Sequence, residues 1–124
     1  MTKGVIAMTR LSTAAVVQVA QPRFPCYKLA TVTGRPDLPN RLVRSGRTGW
    51  YLRVLEPGTV PVAGPIRVVA RDPAGVTVLD AHRALTAETD RDSLKVIAGV
   101  PALAAAWREP LHERLAGMAP YEPE

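Results

Sequence analysis

Along the first 75 residues apolar and polar positions alternate in short runs; beyond them, apolar positions recur every three or four residues. Residues 14 to 20, Ala-Ala-Val-Val-Gln-Val-Ala, are rich in β-branched side chains and read as a strand. Trp50 to Leu55 reads as a second, with Trp50, Leu52 and Val54 on one face and Tyr51, Arg53 and Leu55 on the other. On this pattern Trp50 anchors the core, and Arg53 is either solvated or turned toward a polar pocket shared with Cys26. Pro57-Gly58, Ala63-Gly64-Pro65 and Asp72-Pro73-Ala74-Gly75 supply turns around Val60, Val62 and a further strand from Ile66 to Ala70. Residues 30 to 48 carry Gly34, Pro36, Pro39, Asn40, Ser45 and Gly46, which is loop chemistry around one short helical turn near 38 to 44.

After Gly75 the period changes. Thr77 is placed to cap a helix that runs to about Leu85, with Asp80 at its third position. Thr89 or Asp90 can cap a second helix that Gly99 ends. Pro101 suits the first turn of a third, along which Leu103, Trp107, Leu111 and Leu115 recur every four residues and Pro110 is expected to kink or split the helix. The pattern predicts an α+β chain, with short strands of a barrel or sandwich over residues 1–75, three helices over 76–118, and a disordered tail at 119–124. His82 and His112 fall in different helices without ligand spacing, and each reads as a surface or capping residue.

A chain of 124 residues suffices for one modest core. Its 47% hydrophobic and 22% charged residues are ordinary for a globular protein, and twelve prolines agree with many turns. Thr9, Arg10, Ser12, Thr13 and Gln18 interrupt any signal-peptide core, and no apolar run reaches membrane-spanning length, so a cytoplasmic location is expected. The net charge of +5 is concentrated between Arg23 and Arg71, where nine Lys or Arg face only Asp37 and Glu56. Such a field attracts phosphates, whether of a cofactor or of nucleic acid. Two Trp, three Tyr and one Phe are thin for stacking on single strands, which speaks against nucleic acid.

The candidate chemistry lies in Gln21-Pro22-Arg23-Phe24-Pro25-Cys26-Tyr27-Lys28-Leu29, which holds the only cysteine. Two prolines stiffen the segment, placing Cys26 on extended backbone at a strand end, and Arg23 and Lys28 favour the thiolate, the form that attacks and binds metals. A buried, inert cysteine is the competing account. This segment, followed by Gly46-Arg-Thr-Gly-Trp50-Tyr-Leu-Arg-Val54, resembles the MOSC domain family of molybdenum-cofactor sulfurase C-terminal domains, in its small bacterial YiiM-like group with a three-helix extension. The resemblance runs from about residue 5 to residue 117. It covers only the C-terminal part of such proteins, whose longer N-terminal half carries glycine-rich motifs not visible here.

The resemblance implies a β-barrel fold, here partial, and a molybdenum-cofactor (molybdopterin) protein that reduces N-hydroxylated compounds with electrons from a flavoprotein. It implies Cys26 as catalytic residue and molybdenum ligand, with Arg23 and Lys28 holding the pterin phosphate or tuning the thiolate and Tyr51 and Arg53 as further pocket residues. Two other functions stay open: a carrier holding persulfide sulfur on Cys26, and a noncatalytic basic module binding nucleic acid through residues 35 to 53. An incomplete barrel would leave strand edges open and favour self-association.

Overall fold

A computed structural model describes residues 7–11, 15–87 and 89–118. β1 (Ala7–Leu11), β2 (Ala15–Pro22), β3 (Trp50–Glu56) and β4 (Ile66–Arg71) form one sheet in the order β3-β2-β1-β4, antiparallel throughout. The period-two segments are therefore strands, and the α+β expectation holds. The closed barrel does not appear among the described residues, where the sheet is open and ends at β3 and β4. Residues 57–65, with Val60 and Val62, form no strand and are exposed. The expected tail at 119–124 lies outside the described residues.

Between β2 and β3 the chain makes two helices, α1 (Tyr27–Thr33) and α2 (Leu38–Ser45), where a loop with a single turn was expected. Thr31 and Thr33 hydroxyls donate to the carbonyls of Tyr27 and Leu29, which lets residues of low helix propensity remain in α1. Gly34 and Gly46, at φ 67° and 72°, end the helices in the left-handed conformation that costs glycine least. Those glycines, read as loop residues, are helix stops.

The core lies mostly in the C-terminal part. α3 (Val78–Thr86), α4 (Arg91–Ala98) and α5 (Ala105–Gly117) bury Val78, Ala81, Ala84, Leu94, Ile97, Trp107 and Leu111 around Val19 of β2, with Trp50 and Leu115 packed against them. The Thr77 hydroxyl accepts from Asp80 N–H (3.0 Å) while the Asp80 carboxylate accepts from Thr77 N–H (2.9 Å), so the expected reciprocal cap is formed. Asp90 caps α4 through Ser93 N–H at 2.9 Å, and Gly99 follows its last residue. One expectation for the third helix fails. Pro101 sits in the turn before it, because residues 100–103 are folded around the Arg108 guanidinium, which donates to the carbonyls of Val100, Pro101 and Leu103. α5 is not split at Pro110. The Leu111 side chain, at 0% exposure, and Trp107 hold both sides of the proline in the core, and that packing outweighs the lost backbone bond.

Candidate functional site

The Cys26 segment leaves β2 at Pro22, a residue fixed by full burial and by pairing with Trp50 in the β2–β3 ladder. Arg23 N–H then donates to the Gly49 carbonyl at 2.9 Å, so the proline-cysteine and glycine-tryptophan segments are bound to each other directly. Phe24 spans to the helical part, with its ring centroid 6.2 Å from that of His82 and 6.1 Å from that of Trp107, in tilted geometry. The strand ends four residues before Cys26, and a helix starts immediately after it. Cys26 is the residue that precedes α1, in extended conformation (φ −119°, ψ 172°), and its thiol is free and exposed. Among the described residues the thiol is therefore not buried.

The other expected site residues separate into two groups. Arg23, Lys28 and Tyr51 are exposed, and among the described residues the Arg23 and Lys28 side chains make no hydrogen bond or ion pair. Tyr51 pairs with Gln21, which links it to the cysteine segment through the ladder. Arg53 is turned elsewhere. Its guanidinium donates to Gln18 Oε1 (2.6 Å) and to the Ala102 carbonyl (3.2 Å), so it ties the sheet to the turn before α5 instead of sharing a pocket with Cys26. Asp37 takes two more of the central cations, with Arg35 and Arg41 each 3.5 Å from its carboxylate. Desolvation raises the Asp37 carboxyl, but its own backbone N–H and the two guanidiniums together outweigh it and hold the group below the usual range.

His82 corrects the surface half of the sequence reading: it is 1% exposed, and what it caps is the last turn of α2. Nε2–H donates to the Val43 carbonyl of α2 at 2.7 Å, and Nδ1 is buried without a partner among the described residues. The signal was present, because Val78, Ala81, His82 and Leu85 follow the spacing of a core-facing helical stripe and a histidine on that stripe is buried with it. His112, by contrast, is exposed. Thr48, also buried and with a hydroxyl that has no partner among the described residues, was not marked by any pattern in the sequence.

Two cavities lie away from the thiol, one of about 520 Å³ bordered by Val76, Asp80, Ser93 and Val96, the other of about 220 Å³ beside His82, Arg44 and Gly46. Neither is lined by Cys26, Arg23, Lys28, Tyr51 or Arg53. Among the described residues no group of three or more His, Cys, Asp or Glu could hold a metal ion. None of the described helices is long and apolar enough to cross a membrane.

An open antiparallel sheet that delivers a stiffened, exposed thiol, backed by a three-helix bundle, defines the class of protein. The chain belongs to the MOSC domain family, whose domain matches residues 4–67, and the YiiM-like 3-alpha helix domain matches residues 76–117. Protein YiiM of Escherichia coli is 32% identical over 101 residues, covering 81% of this chain and 45% of that protein. The crystal structure of YiiM from Geobacillus stearothermophilus superposes with a TM-score of 0.85 at 35% identity, covering 91% of this chain and 58% of that one. A Gibberella moniliformis protein named Reductase is 32% identical over 78 residues, which is 63% of this chain and 14% of that protein. The chain spans about half the length of the curated bacterial relatives it matches.

Proposed function

We propose that Cys26 is the protein's sulfur ligand to a molybdenum cofactor, and that this chain forms the thiol-bearing part of a reductase acting on N-hydroxylated compounds. The observation that carries the reading is the free, exposed thiol of Cys26 on a backbone clamped by the Gly49 bond and the Phe24 contacts. The donor set fits such a group. With one soft thiolate and no surrounding cluster of ligating side chains among the described residues, a metal held by protein alone has too few donors here, whereas one that brings further ligands on an organic cofactor needs only the sulfur. MOSC domains are associated with the molybdenum cofactor, and the Gibberella relative is named a reductase.

When bound, the cofactor would supply two-electron, oxygen-accepting chemistry. Conversion of N–OH to N–H consumes two electrons and two protons and releases water, and a flavoprotein is the proposed electron source. Cys26 would hold the metal while Arg23 and Lys28, exposed on either side in sequence, meet the anionic pterin phosphate. Tyr51 would border the same face. Arg53, engaged with Gln18 and Ala102, would position the sheet against the helices rather than touch the cofactor.

The test is the molybdenum and pterin content of the chain purified from a cofactor-producing host, with and without Cys26→Ser. The expected result is loss of molybdenum in Cys26→Ser with an unchanged melting temperature, since an exposed residue contributes little packing. Equal molybdenum in both proteins would refute the assignment. The lone thiol also favours a second reading, a persulfide carrier. A mass gain of one sulfur atom on Cys26, with no molybdenum in either protein, would select it.

A further inference from the structure

The larger of the two cavities, about 520 Å³, is bordered by α3 and α4. Its residues fall in two helical stripes: Asp80, Arg83 and Ala87 at spacings of three and four along α3 and its end, and Asp92 and Val96 four apart on α4. Val76 and Ile97, 4% and 5% exposed, add buried apolar surface, and Val96, 51% exposed, adds more at the rim. Small residues keep the space clear. Ala74, Gly75 and Ala87 fill little of it, and a Cβ built on Gly75 would meet no atom within 4 Å. The volume is that of a site for a small organic molecule.

The polar groups of the lining differ in what they already hold. The Asp80 carboxylate is committed to the cap of α3 through Thr77 N–H, and the Ser93 hydroxyl is committed to Asp90. Among the described residues the Asp92 carboxylate and the Arg83 guanidinium make no hydrogen bond or ion pair. One free acceptor, one free donor and an apolar wall thus share a single cavity. We propose that it binds a cationic amphiphile: an organic ammonium with an apolar body and a carbonyl oxygen near the charge. The ammonium donates to the Asp92 carboxylate, the carbonyl accepts from the Arg83 guanidinium, and the body covers Val76, Val96 and Ile97. The sign of the ligand follows from the described lining, where two carboxylates stand against one guanidinium. An anion would be held by Arg83 and opposed by both acids. Cys26 does not line the cavity, and its assignment as a molybdenum ligand has no bearing on binding there.

The probe is leucyl-phenylalaninamide, whose α-ammonium, first carbonyl and two apolar side chains match those three features. Titrated into the whole chain and followed by amide and methyl NMR, it should saturably shift the resonances of Val76, Arg83, Asp92, Val96 and Ile97 and leave those of α1 unmoved. Acetylating the amine of the probe, or introducing Asp92→Asn, should weaken binding at least about tenfold, the equivalent of one charge-assisted hydrogen bond. Val96→Lys should weaken it as well, by setting a like charge beside the ammonium, with an unchanged circular dichroism spectrum. Absence of saturable shifts at millimolar probe, equal affinity for the acetylated and free-amine probes, or undiminished affinity in Asp92→Asn would overturn the proposal. Should either variant lose its spectrum, the two probes on the parent chain decide alone.

Discussion

His82 and Gly46 fix where α2 meets α3, and each can be perturbed separately. The Nε2–H bond to the Val43 carbonyl requires the neutral imidazole to carry its proton on Nε2, a tautomer that nitrogen chemical shifts would identify. His82→Leu keeps the volume but leaves the Val43 carbonyl only the 3.3 Å bond from Gly46 N–H. We expect a loss of about 0.5–1.5 kcal/mol in denaturant unfolding, within the range for one net hydrogen bond. Gly46→Ala combines left-handed strain of about 1–2 kcal/mol with a new Cβ placed 2.5 Å from Leu79 Cδ1. Gly34→Ala meets nothing within 4 Å and isolates the strain. The Gly46 variant should be the less stable of the two, by a small margin because the Leu79 side chain can turn away; equal stabilities would show that α2 is not seated against α3 as described.

At the scale of elements, the helix caps make the clearest forecasts. Thr77→Ala removes the reciprocal cap of α3 and should lower stability by about 1 kcal/mol, read as a lower melting temperature. Asp90 caps α4, and the hydroxyl and backbone N–H of Ser93 hold its carboxyl below the ordinary aspartate range. Because its folded value is the lower one, its contribution is complete above the unfolded value of about 3.9 and is lost as pH falls through the folded value. Asp90→Asn should therefore flatten the fall in stability on the acid side, and an unchanged acid limb would count against the cap. These caps were legible beforehand because Thr-x-x-Asp and an acid before a helical period act locally. The strands were legible too, through β-branched alternation in Val16 to Val19 and Trp50 to Val54. What the sequence concealed depended on distant partners: α1 and α2 look like loop until Gly34 and Gly46 are recognised as stops, and Pro110 is tolerated only because Trp107 and Leu111 are already packed. In the candidate site, Cys26 was readable as a lone cysteine between prolines and cations. The inward turn of Arg53 was not, since Ala102 lies 49 residues away.

For the molecule as a whole, the turn at residues 100–104 has a consequence for how the protein comes apart. Ala104 N–H donates to the Ala20 carbonyl of β2 at 2.9 Å, Arg53 of β3 reaches the Ala102 carbonyl, and Arg108 gathers three carbonyls from the same turn. Five backbone groups within five residues thus answer to the sheet on one side and to α5 on the other. Neither side can melt without stranding polar groups that the other satisfies, so heat or denaturant should produce one transition by both far-ultraviolet and tryptophan signals. Arg108→Ala should uncouple the two probes. In hydrogen–deuterium exchange the amide of Ala104 should open at the same free energy as the slowest amides of β2 and α5, as though a hinge by position were a rivet by energy, while the amides of α1, which buries no residue, exchange early.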